Sequence, residues 1–218
     1  MVAKKELDAD KLKNITDKTI EHYNINAEDF WFGSKDHDVT QNYNSLLNAI
    51  SSTAPFKILD FGCGPGRDLL YFKKIGHEVT GLDGSIEFVK MAKKISGVEV
   101  LHQDFLNLKL PDSHFDGIFA NATLFHIPSQ EFTRVLKDLN KCLKDNGILF
   151  CSIPRGNGED FYDTRYGAYY EIDEMTKFLN DANFEIISHY YRPAGLPISQ
   201  QPWLAIVSRK KQVKDLNG

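Results

Sequence analysis

The sequence predicts an α/β protein, a mostly parallel and doubly wound sheet flanked by helices, with a helical extension ahead of it. Three observations carry that expectation. Apolar strand-like runs alternate with helical stripes from residue 56 to 211, after a first segment, 1–55, without strand character. The first of these runs, Lys57-Ile58-Leu59-Asp60-Phe61, feeds straight into Gly62-Cys63-Gly64-Pro65-Gly66-Arg67-Asp68, a glycine-rich turn and a helix start. The second run ends on Asp83, 23 residues beyond Asp60, where an open parallel sheet offers the carboxyl ends of its strands to a ligand. At 218 residues the chain is long enough for one such domain with a core of its own and too short for two.

The turn narrows the ligand. Glycines at alternate positions allow φ > 0 and a close approach of the backbone N–H groups. A dinucleotide fingerprint requires glycine at position 67, where Arg67 stands. A phosphate-binding P-loop requires a lysine and a serine or threonine, and this turn has neither. Asp60 repels a pyrophosphate and attracts an ammonium. The pattern D-x-G-x-G-x-G at Asp60, Gly62, Gly64 and Gly66 resembles motif I of the class I S-adenosylmethionine (SAM)-dependent methyltransferases. That resemblance implies a Rossmann-like sheet of seven strands in the order 3-2-1-4-5-7-6 with the last strand antiparallel. It also implies a loop, here including Cys63 and Arg67, that holds the methionine end of the cofactor. A strand-to-helix turn without a ligand is the plain alternative.

Composition limits the partners. A net charge of −4 offers no general attraction to nucleic acid, and no run approaches the ~20 apolar residues of a membrane span. Three cysteines without C-x-x-C spacing, and an opening Met1-Val2-Ala3-Lys4-Lys5-Glu6 unlike a signal peptide, predict a reducing, cytoplasmic setting.

In chain order, residues 1–20 are polar with sparse apolar positions, a pattern of a loosely held helix or frayed tail. Between 20 and 50, Tyr23, Phe30, Trp31 and Phe32 interleave with Asn24, Asn26, His37, Asp38 and Asn42. Such a stretch serves equally as a lid over a cofactor mouth, with Trp31 against the cofactor and His37, Asp38 and Asn42 toward a substrate, or as a helical pair packed on the domain edge.

After the glycine turn, a helix is expected over Asp68–Lys74 and ends at Gly76, followed by a strand from His77 to Asp83. A carboxylate at Asp83 suits the two hydroxyls of a ribose, with Gly84 and Ser85 beside it and Ser85 as N-cap of a helix over Ile86–Ile95. A third strand, Val98–His102, leads to Asp104 and Phe105; by the family resemblance these meet the adenine amine and ring. The fourth strand, His114–Ala120, delivers Asn121 at its carboxyl end, where related enzymes position methyl donor or acceptor. His126 reads as a general base, a substrate hydrogen-bond partner or a structural cap. Ser129 is expected to cap a helix whose Phe132, Val135, Leu136, Leu139 and Leu143 form one stripe. A fifth strand covers Ile148–Ile153, Asp173 caps a helix to Asn180, and strands at Phe184–Tyr191 and Trp203–Arg209 close the sheet.

The segments His37-Asp38-Val39, Asn121 through Gln130, Pro154-Arg155-Gly156, Arg165 through Tyr169, and Tyr190-Tyr191-Arg192-Pro193 through Leu204 closely resemble the methyltransferase domain of ovothiol-biosynthesis enzymes. The resemblance runs from about Tyr23 to Arg209. It implies methyl transfer from SAM to the side-chain-proximal imidazole nitrogen of 5-thiohistidine, giving ovothiol A and S-adenosylhomocysteine. It also implies action after an iron-dependent sulfoxide synthase and a lyase. Side-chain chemistry then nominates Arg155 for the substrate carboxylate, with Arg165 and Arg192 next. Phe125, Tyr166, Tyr169 and Trp203 are candidates to frame the flat ring, and His126 or Tyr169 to act as base. Other small acceptors, or a non-catalytic SAM-binding role, are the alternatives.

Overall fold

The computed structural model describes residues 6–212. Five strands, β1 (Lys57–Phe61), β2 (Glu78–Asp83), β3 (Val100–His102), β4 (Phe115–Asn121) and β5 (Leu143–Pro154), lie parallel in one sheet. Two further strands, β6 (Gly158–Tyr162) and β7 (Arg165–Tyr169), form a separate antiparallel hairpin. The sheet is completed by β8 (Phe184–Arg192) and β9 (Trp203–Lys210), and its order is β3-β2-β1-β4-β5-β9-β8 with β9 antiparallel to both neighbours. With the hairpin set aside, this is the expected 3-2-1-4-5-7-6 arrangement.

The helices are α1 (Ala9–Ile25), α2 (Ala27–Ser34), α3 (Thr40–Leu47), α4 (Arg67–Lys74), α5 (Ile86–Ser96), α6 (Ser129–Cys142) and α7 (Ile172–Asp181). Successive strand residues point to opposite faces, so each side of the sheet has its own core. Leu59 and Phe61 pack with Phe132 and Leu139 of α6 and Met175 of α7, whereas Ile58 packs with Leu46 of α3, Phe72 of α4 and Val89 of α5. All of these side chains are fully or almost fully buried.

Three local expectations are corrected, and one stretch without a stated element is resolved. The N-terminal segment is a firm helix from Ala9, with Asp8 capping it by accepting from the Lys11 N–H at 2.9 Å; the part of that expectation on residues 1–5 lies outside the described residues. Ser129 does not cap α6, because Pro128 takes the cap position and Ser129 instead donates from Oγ and N to the Glu159 carboxylate at 2.8 and 3.0 Å. Asp173 lies one residue inside α7, with Glu171 at the cap position. The polar aromatic stretch after β5 folds as the β6–β7 hairpin, onto which α1 packs.

Candidate functional site

A cavity of about 750 Å3 opens at the carboxyl ends of β1, β2 and β4 and is walled on the other side by α1 and α2. Gly62 and Gly64 border it, with φ of +73° and +51°. A Cβ on Gly62 would lie 2.3 Å from the Thr123 side chain, so that position is closed to any other residue. Gly66 does not reach the cavity: its missing Cβ lets α4 approach Ala92 of α5, where a Cβ would come within 2.8 Å of the Ala92 Cα.

The expectation that this turn offers its N–H groups to a ligand is also corrected. The N–H groups of Gly62 and Cys63 bond the Leu82 carbonyl at 2.8 and 3.0 Å, that of Gly66 bonds Cys63, and that of Gly64 bonds the Asp83 carboxylate at 2.9 Å. A loop whose donors are spent internally makes no phosphate cradle. Cys63 borders the cavity, but burial and the neighbouring carboxylates push its thiol up, so it is no nucleophile.

Asp83 sits in the wall of the cavity, holding Gly64 N and Ser85 N on its two oxygens at 2.9 and 2.8 Å. Burial pushes it up to about 6 against the pull of those bonds. Asp60 lies behind the glycine turn rather than on the cavity surface, 1% exposed. Among the described residues its Oδ2 has no partner, and burial, with Asp68 and Asp83 nearby, raises its pKa well above the usual carboxylate range. Arg67 borders the cavity and ties three parts together, gripping Asp68 with Nε at 2.6 Å and Nη2 at 3.0 Å and donating to the Ser34 carbonyl at the end of α2 at 2.9 Å.

Gly84, Ser85, Asp104 and Phe105 continue this wall. The Phe105 ring lies 4.5 Å from that of Phe61, and Asp104 fastens its own turn by accepting from Leu106 N and Asn107 Nδ2, both at 2.8 Å. Trp31 faces them from α2. Helices α1 and α2 therefore both pack on the edge of the domain and wall the cavity, so the two readings of the aromatic stretch are compatible.

Asn121 is set from behind. Its Oδ1 accepts from Asn42 Nδ2 at 2.8 Å and from Ser152 Oγ at 2.7 Å, and Asn42 Oδ1 in turn accepts from the Tyr190 hydroxyl at 2.9 Å. Asn42 is 1% exposed and does not border the cavity, so it orients Asn121 rather than touching a substrate. With Oδ1 doubly engaged, the Asn121 amide can offer only its N–H2 group to the cavity.

His126 borders the cavity with both ring nitrogens engaged, Nδ1 with the Tyr166 carbonyl and Nε2 with the Tyr23 hydroxyl, each at 2.7 Å. Burial pushes it down to about 4, with Arg165 and His22 adding to that shift, so it is neutral and a weak base. Tyr166 contributes its carbonyl, while its hydroxyl is bonded to Glu159.

Of the three arginines, Arg192 borders the cavity, with Nη2 donating to the Asp38 carbonyl at 2.8 Å; His37 and Asp38 share that rim. Arg155 is withdrawn from the site: Nε bonds Glu171 at 3.0 Å, Nη1 bonds the Ile198 and Gln201 carbonyls at 2.8 and 2.9 Å, and the guanidinium stacks 4.5 Å over Tyr191. Arg165 reaches only the Tyr23 oxygen, at 3.5 Å. Trp203 lines the cavity, whereas Phe125 and Tyr169 stand behind it, with ring centres 6.3 Å apart. Tyr169, named as a candidate base, is thus not on the cavity surface.

Sequence reading left out Phe88, and it named Tyr23 and Asn24 in the aromatic stretch without giving them a contact: Tyr23 and Phe88 border the cavity 5.4 Å apart, and Asn24 Oδ1 accepts from Ser85 Oγ at 2.7 Å and fixes α1 to the end of β2. The density of aromatics and asparagines between 20 and 50 signalled a site; which of them faced inward depended on partners far along the chain.

Residues 59–151 match the family described as a methyltransferase domain. A methyltransferase of Staphylococcus carnosus is 26% identical over 67% of this chain and 66% of its own length. The malonyl-[acyl-carrier protein] O-methyltransferase of Buchnera aphidicola is 30% identical over 63% of this chain and 55% of its own. In fold, the chain is similar to the 1,6-didemethyltoxoflavin-N1-methyltransferase of Burkholderia thailandensis, solved with 1,6-didemethyltoxoflavin and S-adenosylhomocysteine, at a TM-score of 0.75 and 21% identity over 96% of this chain and 94% of that one. Over residues 59–151 the chain is thus similar to a methyltransferase domain, and its sheet has the strand order of the class I fold.

Proposed function

We propose that this protein transfers the methyl group of SAM to the side-chain-proximal ring nitrogen of 5-thiohistidine, giving ovothiol A. The observation that carries the reading is one cavity with two unlike walls. The glycine turn, Asp83, Asp104 and Phe105 form one, and Asn121, His126, Trp203 and the Arg192–Asp38 rim form the other. Its volume, about 750 Å3, is ample for a nucleoside together with a small acceptor.

The donor set of the first wall fits SAM. Asp83 would take the ribose hydroxyls and Asp104 and Phe105 the adenine, while Asp60 stands behind the glycine turn rather than at the cavity surface. When bound, SAM supplies an already activated methyl group, so the protein's task is alignment, worth ~7–11 kcal/mol at its upper limit. On the second wall, Arg192 and the Asp38 carboxylate are charges of opposite sign at one rim, a match for the carboxylate and ammonium of an amino acid. Trp203 offers a flat apolar face to the ring. Support also comes from the sequence segments that resemble the ovothiol enzymes and from an N1-methyltransferase among the fold relatives. Among the described residues no helix is long and apolar enough to cross a membrane, in keeping with a small dissolved substrate.

The test is mass spectrometry of 5-thiohistidine incubated with the protein and SAM, with histidine as control. One methyl gained on the proximal nitrogen of 5-thiohistidine supports the reading; equal methylation of histidine redirects it to a broader histidine N-methyltransferase. SAM binding without turnover of any azole overturns it in favour of a non-catalytic SAM-binding protein.

A further inference from the structure

Tyr23 and His126 meet across the acceptor wall although they lie 103 residues apart. The Tyr166 carbonyl can only accept, so the 2.7 Å contact to His126 Nδ1 places the imidazole hydrogen on Nδ1. Nε2 is then bare and can only accept, which makes the Tyr23 hydroxyl the donor in their 2.7 Å bond. Burial keeps His126 neutral, so this polarity holds at any ordinary pH. Tyr23's ring is fixed by edge contacts with His22 and Phe30 at 5.4 and 5.6 Å and by a tilted contact with Phe88 at 5.4 Å. Its hydroxyl hydrogen is directed at His126 and its oxygen keeps acceptor capacity; Arg165 Nη1 donates toward it at the 3.5 Å limit of a hydrogen bond.

We propose that Tyr23 is a substrate-contacting residue whose oxygen, held as an acceptor by His126, takes the N–H of the acceptor ring and so determines which ring nitrogen carries the lone pair that is methylated. This rests on the azole reading above and gives His126 the part of a positioning residue. The step balances without an enzyme base. A 5-thiohistidine ring with its thiol ionised, a hydrogen on the distal nitrogen and a lone pair on the proximal one carries one negative charge. The proximal lone pair forms the new N–C bond, the C–S bond of the sulfonium breaks, and its electron pair stays on sulfur in S-adenosylhomocysteine. What remains is a neutral imidazolium thiolate, with the distal hydrogen still in place. Positive charge develops on that N–H during the transfer, so its bond to Tyr23 strengthens in the transition state, which is where binding raises kcat.

The test compares wild type with Tyr23→Phe, which removes the oxygen and keeps the ring. SAM affinity should be unchanged, kcat/KM for 5-thiohistidine should fall roughly ten- to a hundredfold, and methyl should now appear on the distal nitrogen as well, read by NMR of the product. In the presence of S-adenosylhomocysteine, the distal N-methyl isomer of 5-thiohistidine, which lacks the recognised N–H, should bind wild type at least ~tenfold more weakly than 5-thiohistidine. Tyr23→Phe should not discriminate between the two. Wild-type kcat/KM with a single regioisomer from Tyr23→Phe, or a loss of SAM affinity in that variant, overturns this inference while leaving the substrate reading intact. A wild-type protein that methylates no azole overturns both.

Discussion

The two walls of the cavity are held together in different ways. On the cofactor side most ties are short in sequence: Gly64 to Asp83 spans 19 residues, Asp83 to Ser85 spans 2, and Asp104 to Leu106 spans 2, with Ser85 to Asn24, at 61, and Arg67 to Ser34, at 33, as the longer ones. On the acceptor side they are long: Asn42 to Asn121 spans 79, Tyr23 to His126 spans 103, Tyr190 to Asn42 spans 148, and Arg192 to Asp38 spans 154. The first wall is a property of the turns that follow three adjoining strands, β1, β2 and β3. The second exists only once α1–α3, the hairpin and the last two strands have all docked. A domain built this way can rebuild its acceptor pocket with little change to the other wall, because few ties run between the two, chiefly Ser85 Oγ to Asn24 Oδ1 at 2.7 Å and Thr123 Oγ1 to the Gly62 carbonyl at 3.3 Å.

Gly62 is where that separation should fail, and it carries the largest expected effect. Its φ of +73°, and the 2.3 Å at which an added Cβ would meet the Thr123 side chain, set the glycine turn directly against the segment that leads to His126. Gly62→Ala should lose about 2–5 kcal/mol of stability from backbone strain and overpacking together. In denaturant titration the loss would register as a lower midpoint, and SAM affinity should fall with it. A variant with near-normal stability and SAM binding would show that the two walls are not coupled at this point.

Asp83 tests the cofactor wall alone. Asp83→Asn should weaken SAM binding roughly ten- to a hundredfold, since a carboxylate accepting ribose hydroxyls makes charge-assisted bonds. The wild type should also be pH-dependent. Burial raises Asp83 from its ordinary value of 3.8 to about 6, so in the ligand-free protein the protonated form contributes stability that is lost as pH rises through about 6. Ribose hydroxyls favour the ionised form, so SAM affinity should be full above that pH and decline as pH falls below it, approaching tenfold per unit. Calorimetric titration between pH 5 and pH 8 reads this, and the asparagine variant should be flat over the same range.

The same division explains what could be read in advance. The glycine turn, the Ser85 cap and the carboxylate at the end of β2 follow from patterns a few residues long, the strand order follows from the family resemblance, and all are where they are expected. The choice among Arg155, Arg165 and Arg192 does not, because a guanidinium's use depends on what lies beside it after folding. Arg155 is held by Glu171 and by two carbonyls contributed by residues 198 and 201, a fit created by the β8–β9 connection. The hairpin was hidden for a related reason: its turn residues Asp163 and Thr164 are ordinary polar residues, and only the pairing of Gly158 through Tyr162 with Arg165 through Tyr169 reveals it.

The arginine pair sharpens the comparison on the acceptor side. Arg192→Ala should raise KM for 5-thiohistidine roughly tenfold with kcat little changed, the pattern of a contact made equally in ground and transition states. Arg155→Ala should leave KM alone and lower the melting temperature instead, since it removes a half-buried strut between α7 and the β8–β9 connection. Steady-state kinetics beside thermal unfolding separate the two. An Arg155 variant with the raised KM would return the carboxylate site to the residue first nominated.

Asn42 carries the smallest expected effect and the most informative one. It touches no cavity surface, yet its amide fixes which end of Asn121 faces the substrate, and Tyr190 fixes Asn42 in turn. Asn42→Ala should lower kcat roughly three- to tenfold, with SAM affinity unchanged, because Asn121 would still hold Ser152 but could turn more freely. Tyr190→Phe should cost less. Together they should cost no more than Asn42→Ala alone, since the tyrosine acts on Asn121 only through Asn42. Additive losses in that double-mutant cycle would mean that Tyr190 reaches the acceptor by a second route, and the acceptor wall would then be less dependent on this chain of contacts than the geometry implies.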